Sequence, residues 1–238
     1  MQQKKLCAII AIVILVGTAA IILALNLPFS STISESTFAT SDINTTCSIN
    51  SDTCSISTYA QQPFGDVLIM RHAIAPGGGD PSGFILENCS TQRLLDDEGK
   101  TQASLIGKKL AESTLTIQRI IYSSQWCRCL NTAELIAAEL TKSNVDSEST
   151  VQEEWGLNSF YQPERGGFTE EKCMQQLDTA LLNKLKHISL EDRKNNGYRQ
   201  ILMVTHQVTV NAVTKLQVAS GEIVAYDSKT GQAKKLEL

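Results

Sequence analysis

Three short apolar runs, separated by helix-length amphipathic segments, leave few folds open to this chain. The runs are 66–70 (DVLIM), 117–124 (IQRIIYSS) and 200–205 (QILMVT), and each has the length of a buried strand. Strands that alternate with helices form a largely parallel sheet with helices on both faces. The sequence therefore predicts an α/β fold with three α/β/α layers and a mostly parallel central sheet.

The segments between these runs have the spacing of amphipathic helices. Residues 97–113 begin with acidic residues and place Ala103, Ile106 and Leu110 on one helical face. Further helices are predicted over 129–140, 169–188 and 208–219, and a closing hairpin over 222–238 is predicted to turn near 229–231. The 169–188 helix contains His187, which we expect at the protein surface.

An apolar segment near the N-terminus, Leu6 to Leu25, contains no charged residue and follows Lys4 and Lys5. As a helix it is long enough to cross about 30 Å of hydrocarbon, and the lysines favour a cytoplasmic N-terminus. A cleaved signal peptide is the alternative, but its apolar core usually spans about 7–15 residues and ends in a small-residue cleavage site, which this sequence lacks. We therefore predict a transmembrane anchor, or secretion after cleavage. Both place the rest of the chain outside the cytoplasm, in the periplasm if the cell is bacterial.

Residues 30–62 are rich in serine and threonine and poor in large apolar side chains. This composition is typical of a flexible stalk. The sequence therefore predicts three parts, namely an anchor or signal segment at 1–29, a stalk at 30–62 and a folded domain at 63–238.

The chain carries a net charge of −4 and has a pI of about 5.5. A nucleic-acid-binding protein needs a basic surface to neutralise phosphates, and the sequence has no basic stripe. We therefore expect no nucleic-acid partner, although a single cationic pocket is compatible with this composition.

Six cysteines follow Cys7, an even number that fits disulfide formation in an oxidising compartment. The sequence does not rank their pairings, but Cys47 and Cys54 would close the simplest local loop. Cys127 and Cys129 flank Arg128, so a disulfide from either cysteine would stiffen the chain around this arginine. Their spacing is too short for a zinc knuckle, and no metal site is expected.

Polar residues follow each predicted strand at the point where it ends. Arg71 and His72 follow the first strand. Arg128 lies just beyond the second strand, and His206 follows the third. The carboxyl ends of neighbouring parallel strands meet at one edge of the sheet, where ligands bind in such folds. We therefore expect two histidines and two arginines to converge on one pocket.

A pocket of this kind suits phosphoryl transfer. A neutral imidazole can attack phosphorus in line and form a phosphohistidine, while guanidinium groups hold the non-bridging oxygens and offset the charge of the transition state. A second histidine can form a hydrogen bond with another phosphoryl oxygen. This chemistry needs no metal and no cofactor. Because the pocket suits phosphoryl transfer, the expected partner is a phosphorylated small molecule.

Four segments resemble the signature sequences of the histidine phosphatase superfamily, whose members have the phosphoglycerate mutase-like fold. They are LIMRHA, DDEGKTQASLIGKKL, YSSQWCRCLNTAE and MVTHQVTVNAV, and the similarity covers roughly residues 64–226. The resemblance implies that His72 is the nucleophile and His206 the second histidine of the pocket. Arg71 and Arg128 would bind phosphate. Arg93, which matches an arginine of some small members, would bind substrate or form a structural salt bridge.

The chain departs from the family pattern at two positions that usually hold a proton donor. Ser159 stands where mutase-like members have a glutamate, and Gln207 stands where the acid phosphatase branch has an aspartate. Glu153, Glu154 or Glu164 could substitute, or could be surface carboxylates. Without an acid, good leaving groups such as phosphoramidates or acyl phosphates would still react, whereas alkyl esters would be slowed by about 10²–10⁴-fold.

The resemblance and the N-terminal segment together predict a membrane-anchored, extracytoplasmic phosphatase. It would act on a phosphorylated small molecule or sugar phosphate through a phosphohistidine intermediate. Two alternatives stay open, namely a phosphohistidine or phosphoramidate phosphatase, and a catalytically weak domain that binds phosphorylated ligands.

Overall fold

The computed structural model describes residues 47, 51–143, 148–161, 167–182 and 199–238. All of them belong to the unit Asn44–Leu238. The predicted anchor at Leu6–Leu25 lies outside the described residues, as do His187 and Glu164. No helix in the described ranges is long and apolar enough to cross a membrane.

A seven-stranded sheet lies at the centre of the described part of the chain. Its strands are β1 (Thr53–Ser55), β2 (Val67–Arg71), β3 (Thr116–Ser123), β4 (Thr150–Glu153), β5 (Arg199–Thr205), β6 (Ile223–Tyr226) and β7 (Ala233–Glu237). The order across the sheet is β1-β7-β6-β2-β5-β3-β4. Strand β6 pairs antiparallel with β2 and β7, and the other four pairs are parallel. The predicted α/β fold with a mostly parallel central sheet is confirmed.

Helices cover both faces of this sheet. They are α1 (Ile56–Gln61), α2 (Asp97–Glu112), α3 (Cys127–Ser143), α4 (Glu170–Leu177) and α5 (Gln207–Thr214), with a π-helical turn at Asp178–Leu182 and 3₁₀ turns at Cys89–Thr91 and Trp155–Leu157. Alternate residues of β2 point to opposite faces. Leu68 and Met70 pack on the side of α2 and α3, whereas Val67 and Ile69 pack on the side of α4 and α5. Burial on both faces explains why β2 is a continuous apolar run.

Helix α3, which starts beside the predicted site, is held in place by close packing against α2. A methyl group added at Gly107 of α2 would come within 2.9 Å of the Ile136 Cα, so glycine permits this contact. Asp96 caps the start of α2 by accepting a hydrogen bond from the Gly99 backbone N–H at 2.7 Å. The capped α2 therefore provides a fixed surface for α3.

From residue 63 onward, most predicted elements are confirmed with shifted ends, and three points differ. Strand β4 was not predicted. The helix predicted over 208–219 ends at Thr214, where Lys215 adopts the left-handed conformation with φ 63°. The helix predicted over 169–188 gives way to the π-helical turn after Leu177, and its last part lies outside the described residues.

The folded domain begins earlier than the predicted boundary at residue 63. Strand β1 pairs in parallel with β7, and α1 buries Tyr59 in the core. Both elements lie within 30–62, the range predicted as a stalk. Because β1 is an edge strand with a single buried side chain, Cys54, its sequence carries little apolar periodicity.

Two disulfides form within the described residues. Cys47–Cys54 is the local pair expected from the sequence, and that expectation is confirmed. Cys89–Cys127 joins the turn Cys89–Thr91 to the first residue of α3. Cys129 and Cys173 are buried thiols. The residue before Arg128 is therefore covalently tied to the loop that follows β2.

Candidate active site

A cavity of about 510 Å³ lies at the carboxyl ends of β2 and β5. All five predicted site residues line it: Arg71, His72, Arg93, Arg128 and His206. Arg71 and Thr205 are register partners in the parallel β2–β5 pair. The His72 backbone N–H donates to the Thr205 carbonyl at 2.9 Å, so His72 and His206 leave the sheet side by side.

His72 is buried, and its hydrogen bonds identify its tautomer. Nδ1 donates to the Ala73 carbonyl at 2.7 Å, because a carbonyl oxygen can only accept. Nε2 is therefore the unprotonated nitrogen, and it accepts a hydrogen bond from the Arg128 Nε–H at 3.1 Å. Burial, followed by the charge of Arg128, lowers the pKa of His72 to about 3. The imidazole is thus neutral around pH 7, with a lone pair on Nε2.

His206 is also buried, with its ring centroid 5.5 Å from that of His72. Its Nδ1 accepts from Arg128 Nη2 at 3.4 Å, since a guanidinium can only donate. Nε2–H therefore donates to Ser124 Oγ at 3.0 Å, and the Ser124 hydroxyl donates to Asn158 Oδ1 at 3.1 Å. Burial and then the Arg128 charge hold the pKa of His206 well below its ordinary value. The Ser124 and Asn158 contacts, which the sequence did not predict, fix the orientation of this ring.

The Arg128 guanidinium connects the two histidines with the loop that follows β2. Its side chain is only 4% exposed. Nε and Nη2 point to His72 and His206, while Nη1 donates to both carboxylate oxygens of Asp80 at 2.9 and 3.1 Å. Arg128 thus presents one edge to the histidines and is held at its third nitrogen by a carboxylate.

Arg71 and Arg93 add two further positive charges to the cavity wall. Arg71 Nη1 donates to the Val218 carbonyl at 3.3 Å, and Arg93 Nη1 donates to the Ala75 carbonyl at 3.0 Å. Burial, and then the charge of Arg128, lower the pKa of both guanidinium groups. Their buried Nε atoms have no hydrogen-bond partner among the described residues. Three guanidinium groups around one cavity favour a bound anion.

The carboxylates suggested as substitute acids do not line this cavity where the structure describes them. Glu153 is exposed and accepts from Gln125 Nε2 at 3.2 Å. Glu154 is buried and caps the Gly156 backbone N–H at 2.9 Å. Ser159 and Gln207, at the two positions of the usual acids, both line the cavity.

Asp80 is a further cavity residue that the sequence did not predict. It is the one carboxylate among the described residues that line the cavity. Its position directly after Gly77–Gly79, in the loop that follows the cationic end of β2, is the signal that could have found it. Glycines in such a loop let the backbone turn, and Gly77 and Gly79 have φ of 98° and 143°. The loop carries Asp80 back to Arg128.

The family model of the histidine phosphatase superfamily (branch 1) matches residues 88–222. The chain belongs to this superfamily. Within the match lie Arg93, Arg128 and His206. The match starts after Arg71 and His72, which the structure brings to the same cavity. A comparison with the curated proteins finds no match.

A comparison with solved structures finds chains of low sequence identity that match most of this one. The protein histidine phosphatase SixA, complexed with tungstate, is 17% identical with a TM-score of 0.41, covering 71% of this chain and 92% of that chain. A protein of Mycobacterium tuberculosis is 20% identical with a TM-score of 0.45, covering 74% and 97%. A phosphoglycerate mutase from Bacillus anthracis is 16% identical with a TM-score of 0.42, covering 71% and 90%. The family assignment rests on the sequence match.

Proposed function

We propose that this protein is a phosphatase that hydrolyses a phosphorylated small molecule or sugar phosphate through a phosphohistidine on His72. The observation that carries the proposal is the tautomer of His72, with Nδ1–H bound to the Ala73 carbonyl and the Nε2 lone pair in a cavity lined by three arginines. Nε2 attacks phosphorus while the bond from phosphorus to the leaving group breaks; the leaving group departs with that electron pair and takes a proton from the solvent. Water then attacks the phosphohistidine, which releases inorganic phosphate and returns the lone pair to Nε2.

The arginines supply most of the electrostatic stabilisation in this scheme. Arg128 reaches both histidines, so a phosphoryl group that enters between them would meet its Nε–Nη2 edge. Arg71 and Arg93 would neutralise the remaining phosphoryl oxygens, and this arrangement supports their proposed roles. His206, neutral in the free protein, would pair with one more oxygen once it takes up a proton at Nδ1.

The wall of the cavity beyond the arginines suits a hydroxyl-bearing leaving group. It contains aromatic side chains and amides, which together bind sugar rings and similar polar groups. These residues are Phe84, Trp126, Tyr161, Gln207, Asn211 and Gln217. Their chemistry supports a small polar phosphate ester rather than a long apolar one.

Phosphoramidates such as phosphohistidine are a second candidate class of substrate. Ser159 and Gln207 occupy the positions where proton donors usually stand, and neither side chain is an acid. A phosphoramidate nitrogen leaves more easily than an alkoxide, so this arrangement favours it. The ratio of kcat/KM values for a phosphoramidate and for an alkyl phosphate distinguishes the two classes.

We also propose that the domain lies outside the cytoplasm, held by a membrane anchor at Leu6–Leu25 or secreted after cleavage of this segment. The apolar segment and the two disulfides support this location, because disulfides persist in oxidising compartments. Protease added to intact cells, with the outer membrane opened if one is present, should digest an epitope-tagged C-terminus. An epitope protected until the cells are lysed would contradict the location.

The test of the enzyme is mass spectrometry of the full-length protein, quenched rapidly at neutral to alkaline pH during turnover of p-nitrophenyl phosphate. We expect a phosphoryl adduct on His72 together with phosphate release. Both should be absent in His72→Ala and present in His187→Ala, a change at a histidine expected on the surface. If the protein binds phosphate but forms no adduct and shows no turnover with either good or poor leaving groups, the proposal of an enzyme fails. The protein would then be a domain that binds phosphorylated ligands.

A further inference from the structure

Asp80 places a negative charge in the wall of an otherwise cationic cavity. Its side chain is 10% exposed, and it lies in the loop after β2 while its partners lie at the start of α3 and in the chain before α2. A carboxylate beside a phosphate site repels the ligand, so its presence there calls for a physical reason. Its hydrogen bonds supply that reason.

Both oxygens of Asp80 are fully occupied as acceptors. Oδ1 accepts from Arg128 Nη1 and from the Arg93 backbone N–H, each at 2.9 Å. Oδ2 accepts from Arg128 Nη1 and from the Trp126 Nε1–H, each at 3.1 Å. A carboxylate has about four acceptor positions, and these four bonds use them. Asp80 therefore has no position left for the proton of a leaving group or of an attacking water, which argues against a role as general acid or base.

The same bonds determine which edge of Arg128 faces the cavity. Asp80 holds Nη1, and this leaves Nε and Nη2 directed to the two histidines. We infer that Asp80 is a positioning residue for phosphoryl transfer: it fixes the Arg128 guanidinium so that the Nε–Nη2 edge is aligned with His72. The inference rests on the proposed phosphatase function.

The orientation of the Arg128 guanidinium and the negative charge of Asp80 have separable effects on the proposed reaction. A bound phosphate dianion would attract Arg128 even if the guanidinium were free to rotate, so ground-state binding does not need Asp80. In-line transfer needs the correct orientation, because a misplacement of about 1 Å lowers the rate by about 100-fold. Removal of the carboxylate charge also removes a repulsion of the phosphate. Loss of Asp80 should therefore lower kcat without weakening the binding of phosphate.

Two variants and one control test this in the full-length protein. Asp80→Asn removes the charge and introduces an N–H group facing the donors of Arg128 and Trp126. Asp80→Glu keeps the charge but displaces the carboxylate. Asp97→Asn removes a carboxylate at a position that is 98% exposed and serves as the matched control. The readouts are kcat and KM for p-nitrophenyl phosphate, the Kd of inorganic phosphate by calorimetry, and the unfolding midpoint.

We expect Asp80→Asn to lower kcat by about 100-fold, with a Kd of inorganic phosphate equal to or lower than that of the wild type. Asp80→Glu should also lower kcat, by about 10-fold or more, at an unchanged Kd. A wild-type kcat in either folded variant would overturn the inference. So would a loss of phosphate binding equal to the loss of kcat, which is what general damage to the site would produce. If Asp80→Asn does not fold, Asp80→Glu decides by the same criteria.

A second readout separates this inference from the proposed function. The NMR signal of the Arg128 Nε–H, assigned by its disappearance in Arg128→Lys, should shift or broaden in Asp80→Asn and Asp80→Glu but not in Asp97→Asn. This measurement needs no turnover. If the wild type makes no phosphohistidine, the proposed function fails, and the NMR signal still decides whether Asp80 positions Arg128. An unchanged signal in both Asp80 variants would overturn the positioning role.

Discussion

The hydrogen bond from His72 Nδ1 to the Ala73 carbonyl determines what this imidazole can do. It places the only ring proton on Nδ1 and leaves Nε2 free of a proton. Arg128 then donates to Nε2, so the proposed nucleophile and the guanidinium proposed to bind phosphate contact each other in the free protein. In the proposed reaction, an entering phosphoryl group takes over this Arg128 hydrogen bond. At the scale of single residues, the site is assembled around Arg128 and its contacts with His72, His206 and Asp80.

The dependence on Arg128 leads to a prediction about Arg128→Lys. An ammonium group keeps the charge but cannot contact His72, His206 and Asp80 in three fixed directions at once. We expect kcat/KM for p-nitrophenyl phosphate to fall by about 100-fold or more. Arg119→Lys, at an exposed position of β3, should leave kcat/KM unchanged. Equal activity in the two variants would show that charge alone is sufficient at residue 128.

At the scale of elements, the start of α3 and the loop that follows β2 act as one unit. The disulfide Cys89–Cys127 joins them covalently. Beside it, Gln92 Oε1 accepts a hydrogen bond from the Cys127 backbone N–H at 3.0 Å. Asp80 adds the contact to Arg128. Because the loop carries Asp80 and Arg93 and the helix carries Arg128, the geometry of the site depends on how firmly these two elements are joined.

Removal of this disulfide should affect both stability and activity. The linked residues are 38 apart in sequence, so Cys89→Ser with Cys127→Ser should lower the free energy of unfolding by about 3–4 kcal/mol. We also expect lower kcat, measured below the unfolding midpoint. The matched control is Cys47→Ser with Cys54→Ser, a pair only 7 apart and absent from the cavity lining. This control should lose less stability and keep full activity. Full activity in the Cys89/Cys127 variant would contradict the coupling.

At the scale of the whole molecule, the fold keeps two histidines uncharged in a strongly positive environment. His72 and His206 are both buried, and burial together with Arg128 lowers the pKa of each. In the unfolded chain a histidine takes up its proton near pH 6.5. Folding therefore opposes protonation of both rings. The stability of the folded domain and the neutral form of the proposed nucleophile, His72, therefore depend on the same two histidines.

The sign of this linkage predicts that stability falls as the solution becomes acidic. Below about pH 6.5 the unfolded chain binds protons that the folded protein excludes, and for His72 this continues until about pH 3. Each such histidine should lower the free energy of unfolding by about 1.4 kcal/mol per pH unit in this range. Urea unfolding at pH 7 and pH 5 measures the change. His72→Gln should reduce the pH dependence, and equal stability of the wild type at the two pH values would contradict the prediction.

The alternation of strands and helices could be predicted from the sequence, because apolar periodicity and strand length are local properties of the chain. The sequence also placed Arg71, His72 and His206 at strand ends and Arg128 shortly after a strand, and parallel strands bring such ends to one edge. The contacts made by irregular segments, in contrast, are visible only in the folded structure. Strand β1 is recognisable only through its pairing with β7. Asp80 and the Cys89–Cys127 bond depend on where a glycine-rich loop returns to α3. Local propensity does not encode such long-range contacts, since they form only when packed elements bring distant parts of the chain together.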